Sequence, residues 1–270
     1  MGEKIGRRSK GQNRVGLSAT VIGALAMSIM SAACTGGTAA DKEDVSGPRR
    51  LVLFVFDRST SIEDYQLELA QQLSNDRISA LRHGDHIAAF QVLQLSLSEP
   101  PRRWSQAVPK KEFVDREIAR DSITLSRFLR DAKDYLRPFS QPTERDNITG
   151  TDLLSTLHDV GEEVRAHPEH APTLYLFSDM LQSNRMIDME GLRRMPRDGW
   201  ADVASASGML PDLRGLCVVV VGARVDTESA QRVKQFWIDY FEATGATLSG
   251  ENYMHRPVSV LSGPCPGIQE

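Results

Sequence analysis

Five oxygen-bearing side chains from three separate parts of the chain have residue types that can bind one divalent cation together. They are Asp57, Ser59, Ser61, Thr151 and Asp179. Two carboxylates and three hydroxyls are hard oxygen donors, and no thiolate or imidazole is among them. Such a set suits Mg²⁺, Mn²⁺ or Ca²⁺ better than Zn²⁺ or Cu²⁺. The sequence therefore predicts an all-oxygen metal site, provided that the fold brings the three parts together.

Two of these parts follow apolar runs that are typical of strands buried on both faces. Residues 51–56 (LVLFVF) lead directly into Asp57, and residues 173–178 (TLYLFS) lead into Asp179. The polar residues then lie just past the carboxyl ends of the strands, where open parallel α/β sheets bind ligands. The third part, residues 149–152 (TGTD), supplies a hydroxyl from a Gly-containing loop before an amphipathic stretch.

This pattern of D-x-S-x-S, a distant Thr and a distant Asp resembles the metal-ion-dependent adhesion site of the von Willebrand factor A-type (VWA) domain. All five positions are filled in the family's order, and the similarity covers residues 50–253. The chain departs from many members at Arg58 and Ile62, where small or other apolar residues are common. Neither position is a ligand position, so the departure leaves the implied metal site intact.

The resemblance implies a protein-binding module, not an enzyme, with Mg²⁺ (or Mn²⁺ or Ca²⁺) as its cofactor. The first four site residues would hold the ion, and Asp179 would bind it directly or through water. An Asp or Glu carboxylate from a protein partner would complete the coordination. Two alternatives stay open: a metal that only joins three loops, and a Mg²⁺-dependent haloacid-dehalogenase-like phosphatase. That phosphatase needs a second Asp two residues after the first, where this chain has Ser59.

Apolar runs that alternate with amphipathic stretches predict an α/β fold, doubly wound and Rossmann-like, with helices on both faces of a mostly parallel sheet. One domain suffices for the 270 residues, of which 40% are hydrophobic. The predicted strands cover residues 51–56, 86–97, 104–108, 173–178, 216–221 and a short stretch around Tyr253. The predicted helices cover residues 63–82, 121–137, 152–167 and 229–243.

A long connection, residues 180–212, leaves the sheet at the predicted metal end and exceeds what a plain crossover helix needs. Two interpretations are open for its apolar residues: a surface that selects the partner, or a small extra helix packed on the sheet. These residues are Met186, Ile187, Met189, Leu192, Met195 and Trp200.

The beginning of the chain has the pattern of a secretory signal peptide and is excluded from the fold. Five Lys or Arg fall in residues 1–14, and the apolar residues 15–30 are shorter than the about 20 residues that span a bilayer. Residues 31–34 (SAAC) resemble the bacterial lipobox, with Ser in the place of the usual Leu, which implies a lipidated Cys34. The alternatives are ordinary cleavage, which gives a soluble periplasmic or secreted protein, and an uncleaved membrane helix.

The chain is thus divided into a signal peptide (1–33), a flexible tether (34–49), the VWA domain (50–256) and a C-terminal tail (257–270). The signal peptide contains five of the 32 basic and one of the 36 acidic residues, so its removal leaves a net charge of about −8. A strongly acidic balance disfavours a nucleic-acid partner. We therefore expect an exported protein of the cell envelope, anchored to a membrane through Cys34.

Two cysteines remain after the signal region, and an exported protein meets oxidising conditions. Cys217 and Cys265 can form a disulfide that joins the tail to a core strand. The alternative is a buried Cys217 in its strand and an unpaired Cys265. Both stay open, because the sequence does not give the Cα separation that a disulfide requires.

The six histidines add no predicted site. His167 and His170 have a His-x-x-His spacing, but Pro168 between them disfavours a regular helical zinc site. The other four are scattered along the chain, and we expect most of them to be surface or boundary residues.

Overall fold

The computed structural model describes residues 47–94, 102–111, 118–141, 150–185 and 187–256. All of them belong to the compact unit Ser46–Glu270. Cys34 and Cys265, together with the predicted signal peptide, most of the tether and the C-terminal tail, lie outside these ranges. The lipidation of Cys34 therefore stays a prediction.

A mixed sheet forms the centre of the described unit. The described residues form eight strands, which are β1 (Arg50–Phe56), β2 (His86–Gln91), β3 (Leu93–Gln94), β4 (Arg103–Ala107), β5 (Thr151–Asp152), β6 (Ala171–Phe177), β7 (Cys217–Val221) and β8 (Tyr253–Met254). Six strands form the sheet in the order β4-β2-β1-β6-β7-β8, while β3 pairs with β5. All neighbours in the sheet are parallel except β4, which lies antiparallel at one edge. The apolar runs of β1, β6 and β7 thus lie inside the sheet, as continuous hydrophobic strands must.

Helices cover both faces of this sheet. They are α1 (Asp64–Ser79), α2 (Ile118–Leu136), α3 (Leu153–Ala166), α4 (Trp200–Ala206) and α5 (Glu228–Ala243). Successive residues of β1 point to opposite faces, so Leu53 packs with Leu157 of α3 and Trp237 of α5, while Phe54 packs with Ile78 of α1. The predicted doubly wound α/β fold is confirmed. No helix in the part of the chain that the structure describes is long and apolar enough to cross a membrane.

The second predicted strand, residues 86–97, is interrupted. β2 ends at Gln91, and the Val92 N–H still donates to the Phe56 carbonyl oxygen (2.9 Å). The chain then leaves the sheet, because Leu93 pairs with Asp152 in the β3-β5 ladder. Apolar residues continue past the end of β2, so the sequence pattern did not indicate that the strand pairing changes from β1 to β5.

The long connection between β6 and β7 packs against the core. Ile187 and Met189 are buried in it, and Leu192, Met195 and Trp200 lie against it. Met186 lies outside the described residues. The packing interpretation therefore holds for these five side chains, whereas Val203 and Met209 of the same connection are exposed.

Candidate functional site

Asp57 is the first residue after β1 and is held at the carboxyl end of the sheet. Its N–H donates to the Phe177 carbonyl oxygen of β6 (2.9 Å), so the two central strands stay paired up to the site. Its carboxylate accepts the Ser59 N–H at Oδ1 (2.8 Å) and the Ser178 hydroxyl at Oδ2 (2.7 Å). With 1% of its surface exposed, Asp57 is a buried carboxylate of fixed orientation.

Two serines connect Asp57 to the second predicted acidic ligand. Ser59 Oγ lies 2.9 Å from Ser61 Oγ, and the Ser61 side chain hydrogen-bonds to Asp179. The Leu181 N–H also donates to Asp179 Oδ1 (3.0 Å). The ends of β1 and β6 therefore bring four of the five predicted ligands into one cluster of oxygen atoms.

The electrostatics of this cluster favour a cation. Burial and the neighbouring Asp179 carboxylate raise the pKa of Asp57 to about 6, although hydrogen bonds from Ser178 and Ser59 partly offset them. Burial likewise raises the pKa of Asp179, against hydrogen bonds from Ser61 and Leu181. Two neighbouring carboxylates, one buried and one partly buried, repel each other, and a bound divalent ion offsets both this repulsion and the cost of burial. The all-oxygen donor set fits an ion of the Mg²⁺ type.

Thr151, the fifth predicted ligand, is buried at the beginning of β5. Its N–H and C=O both bond to the backbone of Ser183, at 2.8 Å each. Gln182 strengthens this link, because its Oε1 accepts the Leu153 N–H (2.7 Å) and its Nε2 donates to Asp152 Oδ1 (2.9 Å). The segment that follows β6 thus fixes the Thr151 loop at the same end of the sheet.

Three residues that the sequence did not single out support the site: Ser178, Met180 and Gln182. Met180 has a φ of 65°, which is unusual for a residue with a side chain. Its N–H donates to Ser178 Oγ (2.9 Å), and its carbonyl oxygen accepts the indole N–H of Trp237 (2.8 Å). Such strain persists only where surrounding contacts enforce it, and here it shapes the turn directly after Asp179. The only sequence signal was the position of Ser178 and Met180 beside Asp179.

Cys217, at the beginning of β7, is buried and disulfide-bonded. Its predicted partner, Cys265, lies outside the described residues. The pairing of these two cysteines therefore stays a prediction.

A second group of possible metal ligands lies at the opposite end of the sheet. One ligand atom each from His86, Glu163 and His167 lies within 4.8 Å of the others. His86 pairs with Leu51 at the beginning of β1, so it is far from the acidic cluster. His83, His158 and His255 are partly or fully exposed as expected, but His86 is buried and its ring lies against that of His167, with centroids 3.8 Å apart and a tilt of 39°. Sequence spacing could not reveal this contact, because one ring comes from β2 and the other follows α3.

No protein-family model and no curated protein matches this chain. Among solved structures, it is similar to the human COPII-coat protein Sec24c, with 13% identity and a TM-score of 0.34. That match covers 78% of this chain and 30% of Sec24c, so the chain spans less than a third of that protein. A manganese-loaded TRAP protein of Plasmodium vivax matches with 12% identity and a TM-score of 0.35, over 77% of this chain and 69% of that one.

Proposed function

We propose that this chain is a VWA-type protein-binding module that depends on a divalent cation, and that it is not an enzyme. One observation carries the proposal: the buried carboxylate of Asp57 and the partly buried carboxylate of Asp179 lie beside two hydroxyl oxygens 2.9 Å apart. The ion best suited to these oxygens is Mg²⁺, for which Mn²⁺ or Ca²⁺ can substitute.

In the proposed site, each residue has a distinct task. Asp57, oriented by the Ser59 N–H and the Ser178 hydroxyl, supplies the main negative charge. Ser59, Ser61 and Thr151 supply neutral oxygens, and Asp179 binds the ion directly or through water. When Asp179 binds through water, the ion keeps uncompensated positive charge, for which a partner's Asp or Glu carboxylate is the best match.

Calorimetric titration of the full chain with Mg²⁺ and with Mn²⁺ tests the metal site. Asp57→Asn should weaken binding by more than about 100-fold, since even residues that only orient ligands contribute 10–100-fold. The matched control is Asp76→Asn on an exposed part of α1, which should bind like the native chain. Equal affinities for the native chain and the Asp57→Asn variant would contradict the site.

A metal that binds a partner keeps one coordination position at which water exchanges, whereas a purely structural metal does not. Bound Mn²⁺ with an exchangeable water strongly enhances water-proton relaxation, and acetate can stand in for a partner's carboxylate. We expect acetate to reduce the enhancement without releasing Mn²⁺. A bound Mn²⁺ with no exchangeable water would favour the structural alternative.

The phosphatase alternative is tested separately with p-nitrophenyl phosphate in Mg²⁺. We expect no hydrolysis that depends on Asp57, because Ser59 stands where that chemistry needs a second carboxyl group. Turnover that Asp57→Asn abolishes would replace the binding proposal with a catalytic one.

We further propose that the protein is exported and anchored to an envelope membrane through lipidated Cys34. The support is the basic and apolar beginning of the chain and the SAAC segment at residues 31–34. In a bacterial host, Cys34→Ser should move the full chain from the membrane fraction to the soluble fraction. Retention of that variant in the membrane would instead indicate an uncleaved helix.

A further inference from the structure

Three side chains converge at the amino end of the sheet, away from the all-oxygen site. His86 begins β2, Glu163 lies in the last turn of α3, and His167 directly follows that helix. Glu163 and His167 are four residues apart, so they lie on the same helix face. Glu163 Oε1 is 3.3 Å from His86 Nε2 and 3.5 Å from His167 Nδ1.

These separations match the edges of a tetrahedral metal site. Zn²⁺ binds imidazole nitrogen and carboxylate oxygen at about 2.0–2.1 Å, which places neighbouring ligand atoms about 3.3 Å apart. The two imidazole rings are tilted by 39° with centroids 3.8 Å apart, and His167 Nδ1 lies 2.9 Å from the Glu163 carbonyl oxygen. The His167 ring must therefore turn away from this carbonyl oxygen for both imidazole nitrogens to face one ion. The ring has room to turn, because His167 lies at a helix end and its side chain is partly exposed.

The surroundings of Glu163 fix the direction of its carboxylate. Arg103 Nη2 donates to Oε2 (2.9 Å) and the Ser105 hydroxyl donates to Oε1 (2.5 Å), while Ser105 Oγ also lies 2.8 Å from His86 Nε2. Burial raises the pKa of Glu163, but hydrogen bonds with His86, Ser105 and Arg103 outweigh it and lower the pKa to about 2. Oε1, the oxygen nearest both imidazoles, is thus held between them and Ser105.

The site is closed toward the protein interior and open to solvent on the side of His167. Glu163 and His86 have 4% and 9% of their surface exposed, whereas the His167 side chain is 19% exposed. The ring of His170 lies edge-on to both His86 and His167, at 6.2 and 5.7 Å between centroids. Its Nε2 is 3.1 Å from the Gly84 carbonyl oxygen, so this ring is tied to the backbone and forms a wall.

We propose that His86, Glu163 and His167 form a second metal site, which binds a transition-metal cation of the Zn²⁺ type. Two imidazoles and one carboxylate favour Zn²⁺, Co²⁺ or Ni²⁺ over Mg²⁺ or Ca²⁺, which prefer oxygen ligands alone. Three protein ligands and an open side leave a fourth position for water or an exogenous ligand, as in zinc sites that are not purely structural.

Cobalt titration of the full chain, prepared without a histidine tag, tests this proposal. Tetrahedral Co²⁺ absorbs visible light strongly, whereas octahedral Co²⁺ absorbs weakly. We expect a strong band that saturates at one equivalent, disappears on addition of Zn²⁺ and persists in a large excess of Mg²⁺. A sulfur-to-cobalt charge-transfer band would show binding by a cysteine and would overturn the assignment.

Two ligand variants and two controls locate the ion. His167→Gln and Glu163→Gln should each lower Co²⁺ affinity by more than about 100-fold, since loss of a mere supporting residue costs 10–100-fold. His158→Gln, an exposed histidine on α3, should retain the full band. Asp57→Asn should also retain it, which separates this site from the proposed all-oxygen site.

A thermal melt of each metal-free variant confirms that it is folded. His167→Gln carries the decision, because its partly exposed side chain at the end of α3 can change without opening the core. Co²⁺ affinity that is unchanged in folded His167→Gln, or lost in Asp57→Asn, would overturn the second site.

Discussion

Asp57→Asn should stabilise the metal-free protein at pH 7, although it removes the main charged ligand. The ionised carboxylate is buried beside Asp179, and its pKa is raised from 3.8 to about 6. A raised pKa means that the folded state binds the proton more tightly than the unfolded state. The native chain therefore gains stability as the pH falls through 6 toward 3.8, and carries the full penalty above 6.

The size of the effect follows from this shift. Two pKa units correspond to about 3 kcal/mol, which Asn avoids because it is neutral. Asn can still accept the Ser59 N–H, but its amide leaves the Ser178 hydroxyl without its acceptor, at a cost of about 1 kcal/mol. The variant should thus be more stable by about 2 kcal/mol, or about 4–8 °C in Tm for a domain of this size.

Urea denaturation in EDTA, followed by tryptophan fluorescence, measures this difference. Asp76→Asn on α1 is the control and should stay within about 0.5 kcal/mol of the native chain. Mg²⁺ at 100 times its Kd should stabilise only the native chain, by about 2.7 kcal/mol, and so reverse the order. A variant that is less stable than the native chain in EDTA at pH 7, or a native stability that does not change between pH 7 and 5, would refute the reasoning.

Three further predictions concern other parts of the molecule. Gly222→Ala should destabilise the protein by about 2–3 kcal/mol in urea denaturation, because φ is +108° and a Cβ would lie 3.0 Å from the Ser178 carbonyl oxygen. Gly199→Ala, with φ +77° and open space around it, should cost only about 1 kcal/mol, and equal losses would exclude the close contact as a cause. Thr151→Val should weaken Mg²⁺ binding in calorimetry by at least about tenfold with little change in Tm, since one neutral ligand is lost; unchanged affinity would remove Thr151 from the site. Because the pKa of Glu163 is lowered to about 2, the free energy of unfolding of the metal-free protein should fall by about 2 kcal/mol as the pH falls from 4.5 toward 2. This figure is discounted for solvent screening around Arg103, which is 44% exposed. Stability curves of the native chain and of Glu163→Gln that coincide over this pH range would contradict the prediction.

The sequence predicted the central architecture because buried parallel strands have a strong pattern. β1, β6 and β7 are apolar except for Arg50 and Thr173, and each predicted run agrees with the observed strand to within two residues. Helices with one apolar stripe, such as α5, were equally clear. The β3-β5 ladder was missed, because a two-residue pairing depends on contacts between distant segments and not on local periodicity.

The candidate site was predicted to a similar degree, and for a similar reason. Asp57 and Asp179 directly follow predicted strands, so the topology alone brings them together. Gln182 had no such signal: its fully buried amide joins two loops, and that role depends on the path of the chain after β6. The histidine cluster was missed because β2 and the end of α3 are far apart in the sequence, and they meet only after α3 packs on the sheet.

The two proposed metal sites lie at opposite ends of the same strands and should act independently. His86 pairs with Leu51, and Asp57, just past the end of β1, lies six residues further along the chain. At about 3.3 Å per residue this is about 20 Å. Two unit charges this far apart interact by less than about 1 kcal/mol at an effective dielectric constant of about 20. The donor types reinforce the separation, since oxygen ligands favour Mg²⁺ and imidazoles favour Zn²⁺. One sheet can thus hold two different ions at once, because the amino and carboxyl ends of its parallel strands present different chemistry.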